Sequence, residues 1–206
     1  LRSISHDLRT PLTSISGNAS VLINNSGSLD ENKKMQLYEV IYDDSLWLIN
    51  LVENLLSVTR IEDGKMNLHL ETELIEEVIN EALNHISHKK DEHRIEVKAN
   101  DEFILAKIDA GLIIQVIINI VDNAIKYTPK GSMISIETFK HKDFVEIQIA
   151  DDGAGISDKD KEKLFEMFYT VKHEVIDGRR GLGLGLALCK AIIVAHGGNI
   201  LSLIHI

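Results

Sequence analysis

Near the start of the chain, the stretch Ser5-His6-Asp7-Leu8-Arg9-Thr10-Pro11-Leu12 places one histidine beside an acid, and an arginine, a hydroxyl residue and a proline follow within it. Around this stretch, apolar residues recur every three or four positions, as they do on one face of an amphipathic helix; they are Leu1, Ile4, Leu8, Leu12, Ile15, Ala19 and Leu22. At about 100° per residue, His6 falls well off the apolar face, on its edge or on the solvent side. A reagent can reach a histidine there, although a solvated surface histidine fits the same pattern.

Composition narrows the classes of function. A length of 206 residues allows one sizeable domain or two small ones. The formal charge of −10, without any block of Lys or Arg, argues against nucleic acid or anionic lipid as the main partner. The single cysteine, Cys189, rules out an intramolecular disulfide, suits a reducing cytosol and predicts a packed small residue. The longest apolar stretch, around 112–121, is interpreted as too short and too interrupted to span a bilayer.

The first part of the chain predicts two helices. The first runs to about Asn25 and ends in a turn over 24–28, and the second covers roughly 30–61. The second helix has heptad-like apolar residues at Leu37, Ile41, Leu48, Leu51, Leu55 and Val58. Because two helices joined by a short turn bury little apolar surface alone, we expect a dimer that forms a four-helix bundle.

After a linker at 62–65 the pattern changes to mixed elements. Helices are predicted over 73–88, 109–127, 158–165 and 185–196, and strands over 94–99, 102–108, 133–139 and 144–150. Asp109 is expected to cap the second of these helices, and 128–131 to stop it. Hairpin-like pairs of strands indicate an α/β domain with a mixed or antiparallel sheet.

A polar stripe is predicted on the helix over 109–127. Gln115, Asn119, Asn123 and Lys126 fall on one side of it, opposite an apolar face. Carboxamides on an otherwise apolar helix are costly unless they bind something. An asparagine oxygen can help to hold Mg²⁺ and a lysine one turn on can meet phosphate, whereas the alternative is a polar surface face.

Two glycine-rich segments follow. In Asp151-Asp152-Gly153-Ala154-Gly155-Ile156, a carboxylate, which only accepts hydrogen bonds, can pair with the exocyclic amine of adenine, and glycines allow the backbone to approach a flat base. In 180–186, glycines that lead into a helix can line phosphates with backbone N–H groups. This second segment is neither a P-loop nor a convincing dinucleotide-binding fingerprint. The charged stretch 169–180 between them is interpreted as a lid.

The order of these segments resembles the sensor histidine kinases of two-component systems, over essentially the whole chain. The segments match the family's H, N, G1, F and G2 boxes: 6–12, Asn119-x-x-x-Asn123-x-x-Lys126-Tyr127, Asp151-x-Gly153-x-Gly155, Phe165-x-x-Phe168 and Gly181-x-Gly183-x-Gly185. The residues at 3–10 and 42–48 look most like the potassium-responsive Kdp-type sensor kinases. Two departures are Ala154, where the family often has proline, and Tyr169-Thr170, which lacks an arginine that some members carry.

The resemblance implies an α+β chain of two domains. Residues 1–63 would be a helical-hairpin dimerisation and histidine phosphotransfer domain, which forms a homodimer through 1–61. Residues 64–206 would be an α/β-sandwich ATP-binding domain of the histidine kinase and Hsp90-like (Bergerat) type. The family continues with a hairpin that completes the sheet, so we expect a truncated C-terminus. Residues 201–206 also match a translation of the transposon end used in sequencing libraries, which predicts a reading frame broken by an adapter, whereas the alternative is a genuine apolar strand.

The resemblance also assigns roles to residues. His6 would be the phosphoacceptor, Asp7 a general base or a group that orients the ring, and Thr10 would position water for dephosphorylation of the partner. Asn123 would ligate Mg²⁺, and the phosphates of ATP would be surrounded by Asn119, Lys126 and Tyr127. Asp151 would read adenine in a pocket shaped by Gly153 and Gly155. The lid would rest on Phe165 and Phe168 and be closed by Gly181, Gly183 and Gly185.

The implied function is ATP-dependent autophosphorylation on His6 and transfer to an aspartate of a response regulator receiver domain. The alternatives are a phosphatase-dominant or dimer-scaffold protein, or another ATPase of the same nucleotide-binding fold. The intact Asn123, Asp151 and G2 glycines favour ATP binding, and His6 within its full octet favours a histidine kinase. This portion would be cytoplasmic, and the full-length protein would reach a bacterial membrane through a sensor part that precedes Leu1.

Overall fold

The structure, a computed structural model, describes residues 2–25, 27–62, 67–86, 92–100, 103–170 and 183–202, without the side chains at 2–7, 50 and 57–62. Internal packing divides the chain into two compact units, residues 1–60 and 61–206. Of the predicted linker at 62–65, Glu62 belongs to the second helix, and the rest, with the boundary between 63 and 64, lies outside the described residues, so the domain limits stay a prediction. Residues 203–206 of the suspected adapter sequence also lie outside it.

The first unit is a pair of helices, as predicted. Helix α1 spans Arg2–Asn25 with Pro11 inside it, and helix α2 spans Glu31–Glu62. The turn between them forms because the N–H groups of Ser28 and Leu29 both donate to the Asn25 carbonyl, at 3.0 and 3.2 Å. The Asp30 carboxylate then accepts the Lys33 N–H at 2.7 Å, which satisfies a free donor in the first turn of α2.

Besides the apolar face predicted from the sequence, helix α2 has another apolar face, which is exposed in the single chain. Its members recur at heptad spacing and are 49 to 64% exposed; they are Met35, Tyr38, Tyr42, Ile49, Val52 and Leu56. Ser45 occupies the remaining heptad position, where its hydroxyl donates to the Ile41 carbonyl at 2.7 Å. We call these seven positions the α2 stripe. Such a seam is typical of helices that pack against another helix.

The second unit is a mixture of short strands and helices. Its elements in chain order are β1 (Glu71–Leu74), α3 (Ile75–His85), β2 (Arg94–Ala99), β3 (Leu105–Ile108), α4 (Ala110–Tyr127), β4 (Met133–Lys140), β5 (Val145–Asp151), α5 (Asp158–Lys161) and α6 (Gly185–Ala195). The prediction was wrong over 73–74, which belong to a strand, and α5 is one turn where a helix to residue 165 was predicted. The bounds of β3 and α3 are also shorter than predicted.

The strands form two sheets. In one, β1 is antiparallel to β3, with Glu71 opposite Ile108 and Leu74 opposite Leu105. In the other, the order is β2-β4-β5, with β2 parallel to β4 and β4 antiparallel to β5. The prediction of a mixed sheet is confirmed by this second sheet. The neighbouring β2 and β3 do not form a hairpin, because β3 pairs instead with β1.

The core lies between helices and the three-stranded sheet. Alternate residues of β4 point into it, so that Ile134 and Ile136 are fully buried. Helix α4 packs against α3, α6, β4 and β5, and buries Ile117 and Val121 almost completely. The sequence interpretation gives the apolar stretch at 112–121 as too short to span a membrane, whereas by length and composition alone α4 is long and apolar enough to cross one. Its contacts nevertheless place it as the core helix of this unit.

Asp109 joins the start of α4 to two other segments. Its Oδ1 accepts the Leu112 N–H at 3.3 Å as the predicted cap, and its Oδ2 accepts the N–H of His69 at 3.1 Å. Its own N–H donates to His196 Nε2 at 3.0 Å, and His196 Nδ1 lies 2.8 Å from the Ile192 carbonyl. His196 therefore carries its proton on Nδ1 and links the end of α6 to the beginning of α4.

We predict that Asp109→Ala lowers the free energy of unfolding by about 1–2 kcal/mol, because two backbone donors lose their acceptor. Denaturant unfolding followed by circular dichroism measures this change. Asp143→Ala, at an exposed position of the β4–β5 turn, serves as the control and should change the value by less than about 0.5 kcal/mol. Equal values for the two variants would contradict the assigned role of Asp109.

Candidate functional site

The predicted polar stripe forms on one continuous helix, α4. Asp122 also belongs to it, because it lies three residues after Asn119 and four before Lys126. The sequence interpretation missed Asp122, although the same helical spacing would have revealed it. The residue as a whole is exposed, yet desolvation of its carboxyl raises the pKa of Asp122 to about 6. Next to it, Lys126 Nζ lies 5.3 Å from the centre of the Tyr127 ring.

Asn119 faces the beginning of α6. Its Oδ1 is 3.6 Å from where a Cβ on Gly185 would lie, so two of the predicted site residues are brought together. Its Nδ2 is buried and makes no hydrogen bond of ordinary geometry to a described residue, although the amide lies near enough to the Cys189 sulfur to lower the pKa of that thiol. A buried donor left unpaired costs about 1–3 kcal/mol. The amide is therefore suited to a ligand that brings an acceptor oxygen, such as a phosphate.

The turn after β5 closes tightly around Asp151. The Gly153 N–H donates to Asp151 Oδ1 at 3.0 Å. A Cβ on Gly153 would lie 2.7 Å from that oxygen and 2.9 Å from Thr128 Cγ2, so only glycine fits at this position. Gly155, two residues on, has a φ of +72°. The predicted G1 residues therefore form one compact turn against the end of α4.

The F and G2 segments meet at Phe168 and Gly183. The Phe168 N–H donates to the Gly183 carbonyl at 2.9 Å. Gly183 has a φ of +66°, and a Cβ there would lie 2.7 Å from the carbonyl carbon of Phe168. Glycine is therefore required both by the backbone conformation and by the lack of space for a side chain. The described residues do not include 171–180, which form most of the predicted lid, or Gly181.

Two side-chain contacts hold the F segment in place. The Tyr169 hydroxyl donates to Asp160 Oδ1 at 2.5 Å, which raises the pKa of that tyrosine. The Phe165 ring has Lys190 Nζ of α6 at 5.9 Å from its centre. The first contact connects the F segment to α5, and the second places Phe165 near the middle of α6.

The residues of the H box lie on α1. His6 and Asp7 have helical backbones, and their side chains lie outside the description. Thr10 is exposed. A shallow groove follows this side of α1 and is lined by Leu8, Arg9, Leu12, Thr13, Ser16, Gly17 and Ser20. The H box is thus in the first compact unit, and the other four boxes are in the second.

Two family models match the chain. Residues 1–64 match the "His Kinase A (phospho-acceptor) domain", and residues 108–202 match the "Histidine kinase-, DNA gyrase B-, and HSP90-like ATPase". The chain therefore belongs to the sensor histidine kinases. The predicted family and the α+β fold class are confirmed, including the helical hairpin followed by an α/β ATPase fold.

Named relatives place the chain near the Kdp-type sensors. Sensor protein KdpD of Clostridium acetobutylicum is 46% identical over 97% of this chain, and Sensor protein KdpD of Escherichia coli is 33% identical over 97%. The chain spans 22% of the length of each. Among solved structures, histidine kinase AdeS of Acinetobacter baumannii is 28% identical, with a TM-score of 0.69 over 92% of this chain and 86% of that one.

Cys189 lies on the buried side of α6, four residues after Gly185. It is fully buried, and its Sγ donates to the Val116 carbonyl of α4 at 3.7 Å. Burial raises the pKa of the thiol to about 12, an effect that the Asn119 side chain partly offsets. The prediction of a packed cysteine is confirmed.

We predict that Cys189 does not react with iodoacetamide in the folded protein at pH 8, because the thiolate is the reactive form and the sulfur is inaccessible. Intact-protein mass spectrometry measures the label. Val194→Cys, at a position 56% exposed on the same helix, is the matched control and should take up one equivalent, and denatured wild type should do the same. Rapid labelling of native wild type would contradict the assigned burial.

Proposed function

We propose that this chain phosphorylates itself on His6 with ATP and passes the phosphoryl group to an aspartate of a response regulator receiver domain. The observation that carries the proposal is the buried, unpaired Nδ2 of Asn119 beside the glycine at the beginning of α6. It lies within the region that matches an ATPase family model. A donor in that position suits the oxygens of a polyphosphate.

The residues of the second unit fit ATP in distinct parts. Asp151, at the tight turn of Gly153, would accept a hydrogen bond from the exocyclic amine of adenine. Asn119, Lys126 and Tyr127 would surround the phosphates, and the beginning of α6 would offer backbone N–H groups. The charge on Lys126 would offset part of the negative charge of the phosphates.

Mg²⁺ would be held by Asn123 together with oxygens of the phosphates. No group of three or more His, Cys, Asp or Glu side chains suited to a metal occurs within the described ranges. A magnesium ion that is bound mainly through substrate phosphates needs few protein ligands, so a single carboxamide fits this chemistry. The ion would neutralise charge as the phosphoryl group leaves.

In the first step, a neutral ring nitrogen of His6 attacks the γ-phosphorus of ATP. The bond to the β–γ bridging oxygen breaks, and ADP leaves with that electron pair. Asp7 orients the ring or accepts its proton. In the second step, a carboxylate oxygen of the receiver aspartate attacks the same phosphorus, and the P–N bond breaks to restore His6. Thr10 would position water when the phosphorylated receiver is hydrolysed.

A homodimer through the helical unit is part of this proposal. The α2 stripe provides six exposed apolar side chains at heptad spacing, and a second copy of the hairpin would cover them in a four-helix bundle. Its polar member, Ser45, already has its hydroxyl bonded within its own helix. It can therefore enter an apolar interface without an unpaired donor.

The location of the whole protein is also a proposal. The relatives named above are called sensor proteins and are several times longer than this chain. We infer that the full-length protein is anchored in a bacterial membrane through a sensor region, and that the portion described here works in the cytoplasm, where ATP and a receiver domain are available.

The phosphorylation test uses γ-labelled ATP and Mg²⁺ with the wild-type chain. We expect label that is stable to base and labile to acid, as for a phosphorus–nitrogen bond. His6→Gln should remove it completely. Asn123→Ala should reduce its rate by about 100-fold or more, the scale seen when one charge-stabilising group is lost.

The matched control is His141→Gln on the β4–β5 turn, where His141 stacks on Phe144; it should be labelled like wild type. Label that persists in His6→Gln would refute His6 as the acceptor. Unlabelled wild type that still binds ATP would favour the scaffold or phosphatase-dominant alternative.

We predict that Ile49→Glu converts the dimer to a monomer at micromolar concentration, because it places a charge in the α2 stripe. Sedimentation velocity measures the mass. Val40→Glu is the control: Val40 is 38% exposed on α2 but lies off the stripe, so this variant should stay dimeric. A monomeric wild type, or a dimeric Ile49→Glu, would contradict this interface.

A further inference from the structure

His93, which directly precedes β2, binds the residue that ends α4. Its Nε2 lies 3.0 Å from Thr128 Oγ1. The Thr128 hydroxyl donates its proton to the Ala124 carbonyl at 2.7 Å, so its oxygen is the acceptor and His93 Nε2 carries the donated proton. The other ring nitrogen, Nδ1, is buried without a partner among the described residues. Thr128 is therefore the polar contact that fixes this ring.

Thr128 in turn supports the turn that carries Asp151. Thr128 is 3% exposed, and its methyl group lies 2.9 Å from the position that a Cβ on Gly153 would take. Gly153 donates its N–H to Asp151 Oδ1. A shift of Thr128 is therefore transmitted through Gly153 to the Asp151 carboxylate, since close-packed groups have no free space to absorb it.

The backbone around His93 is held independently of its side chain. Gly131 N–H donates to the Glu92 carbonyl at 2.7 Å, and Arg94 N–H donates to the Ser132 carbonyl at 2.9 Å. On the other side, Met133 N–H donates to Asp152 Oδ1 at 3.0 Å. Three segments, 92–94, 128–133 and 151–153, therefore run side by side. Replacing the His93 side chain removes its bond to Thr128 and leaves these three bonds in place, because none of them involves that side chain.

We propose that His93 is a positioning residue for the adenine subsite: its Nε2–H holds Thr128 against Gly153 and so sets where Asp151 meets the base. This inference rests on the proposed function, because it assumes that Asp151 binds adenine. It adds a residue outside the five boxes. It also predicts an effect on the choice of base in the bound nucleotide, since the bond supports the turn that carries Asp151 and not the residues proposed to meet the phosphates.

The test compares His93→Leu with His93→Gln in the full chain. We measure dissociation constants for ATP and GTP by calorimetry, together with the thermal midpoint. His93→Leu should weaken ATP binding by about 5- to 10-fold, the value of one hydrogen bond, and leave GTP binding unchanged. His93→Gln, whose amide can donate from nearly the same position, should return ATP binding to within about 2-fold of wild type.

One variant of Thr128 separates the contact that its methyl group makes with Gly153 from the bond between its hydroxyl group and His93. Thr128→Val keeps the methyl group over Gly153 and loses the hydroxyl, so it should reproduce the loss seen in His93→Leu. Combining the two should add little, because both remove the same bond. His85→Leu is the control histidine, exposed on α3 beside Glu81, and should leave the ratio of the two dissociation constants at its wild-type value.

The outcomes distinguish a positioning role of His93 from a purely structural role. A lower thermal midpoint in His93→Leu with an unchanged GTP/ATP ratio would make His93 purely structural and overturn the inference, as would equal weakening of both nucleotides. If His93→Leu does not fold, an unchanged ratio in Thr128→Val overturns it instead. Wild type that fails to bind ATP would overturn the proposed function as well, whereas normal wild-type binding with an insensitive His93 overturns this inference alone.

Discussion

The burial of one side of α4 is the constraint on which the second unit depends. Ile117 and Val121 are removed from water almost completely, and this fixes the rotation of the helix about its axis. Both ends of the helix are then pinned by side chains, through Asp109 at its beginning and Thr128 at its end. With rotation and ends fixed, the polar stripe can point in only one direction. The proposed nucleotide site is in this sense a consequence of core packing.

Three unusual local features lie close to the ends and faces of α4 and α6. The unpaired Asn119 amide, the left-handed Gly183 and the crowded Gly153 all lie on or beside α4 and α6. The two glycines fit backbone conformations and close contacts that other residues do not tolerate, whereas the amide is an unsatisfied donor of the kind found at functional sites. An acceptor oxygen of a nucleotide would pair the buried Asn119 amide and so remove its cost.

The sequence predicted these elements unevenly, for physical reasons. Helix α4 and strands β4 and β5 have strong periodicity and clear stop signals, and their bounds agree closely with the structure. Strand β1 has only four residues, of which three are polar, and its partner β3 follows more than thirty residues later, so no local pattern could reveal it. Asp122 could have been found from helical spacing. The bond between His93 and Thr128 could not, because it joins residues 35 positions apart.

The division into two compact units has a consequence for the chemistry. The proposed acceptor, His6, belongs to one unit, and the residues proposed to hold ATP belong to the other. Positioning is the main contribution that a protein makes to phosphoryl transfer, and here the reacting groups are not positioned within one core. The proposed attack of His6 on ATP therefore joins groups that belong to different compact units.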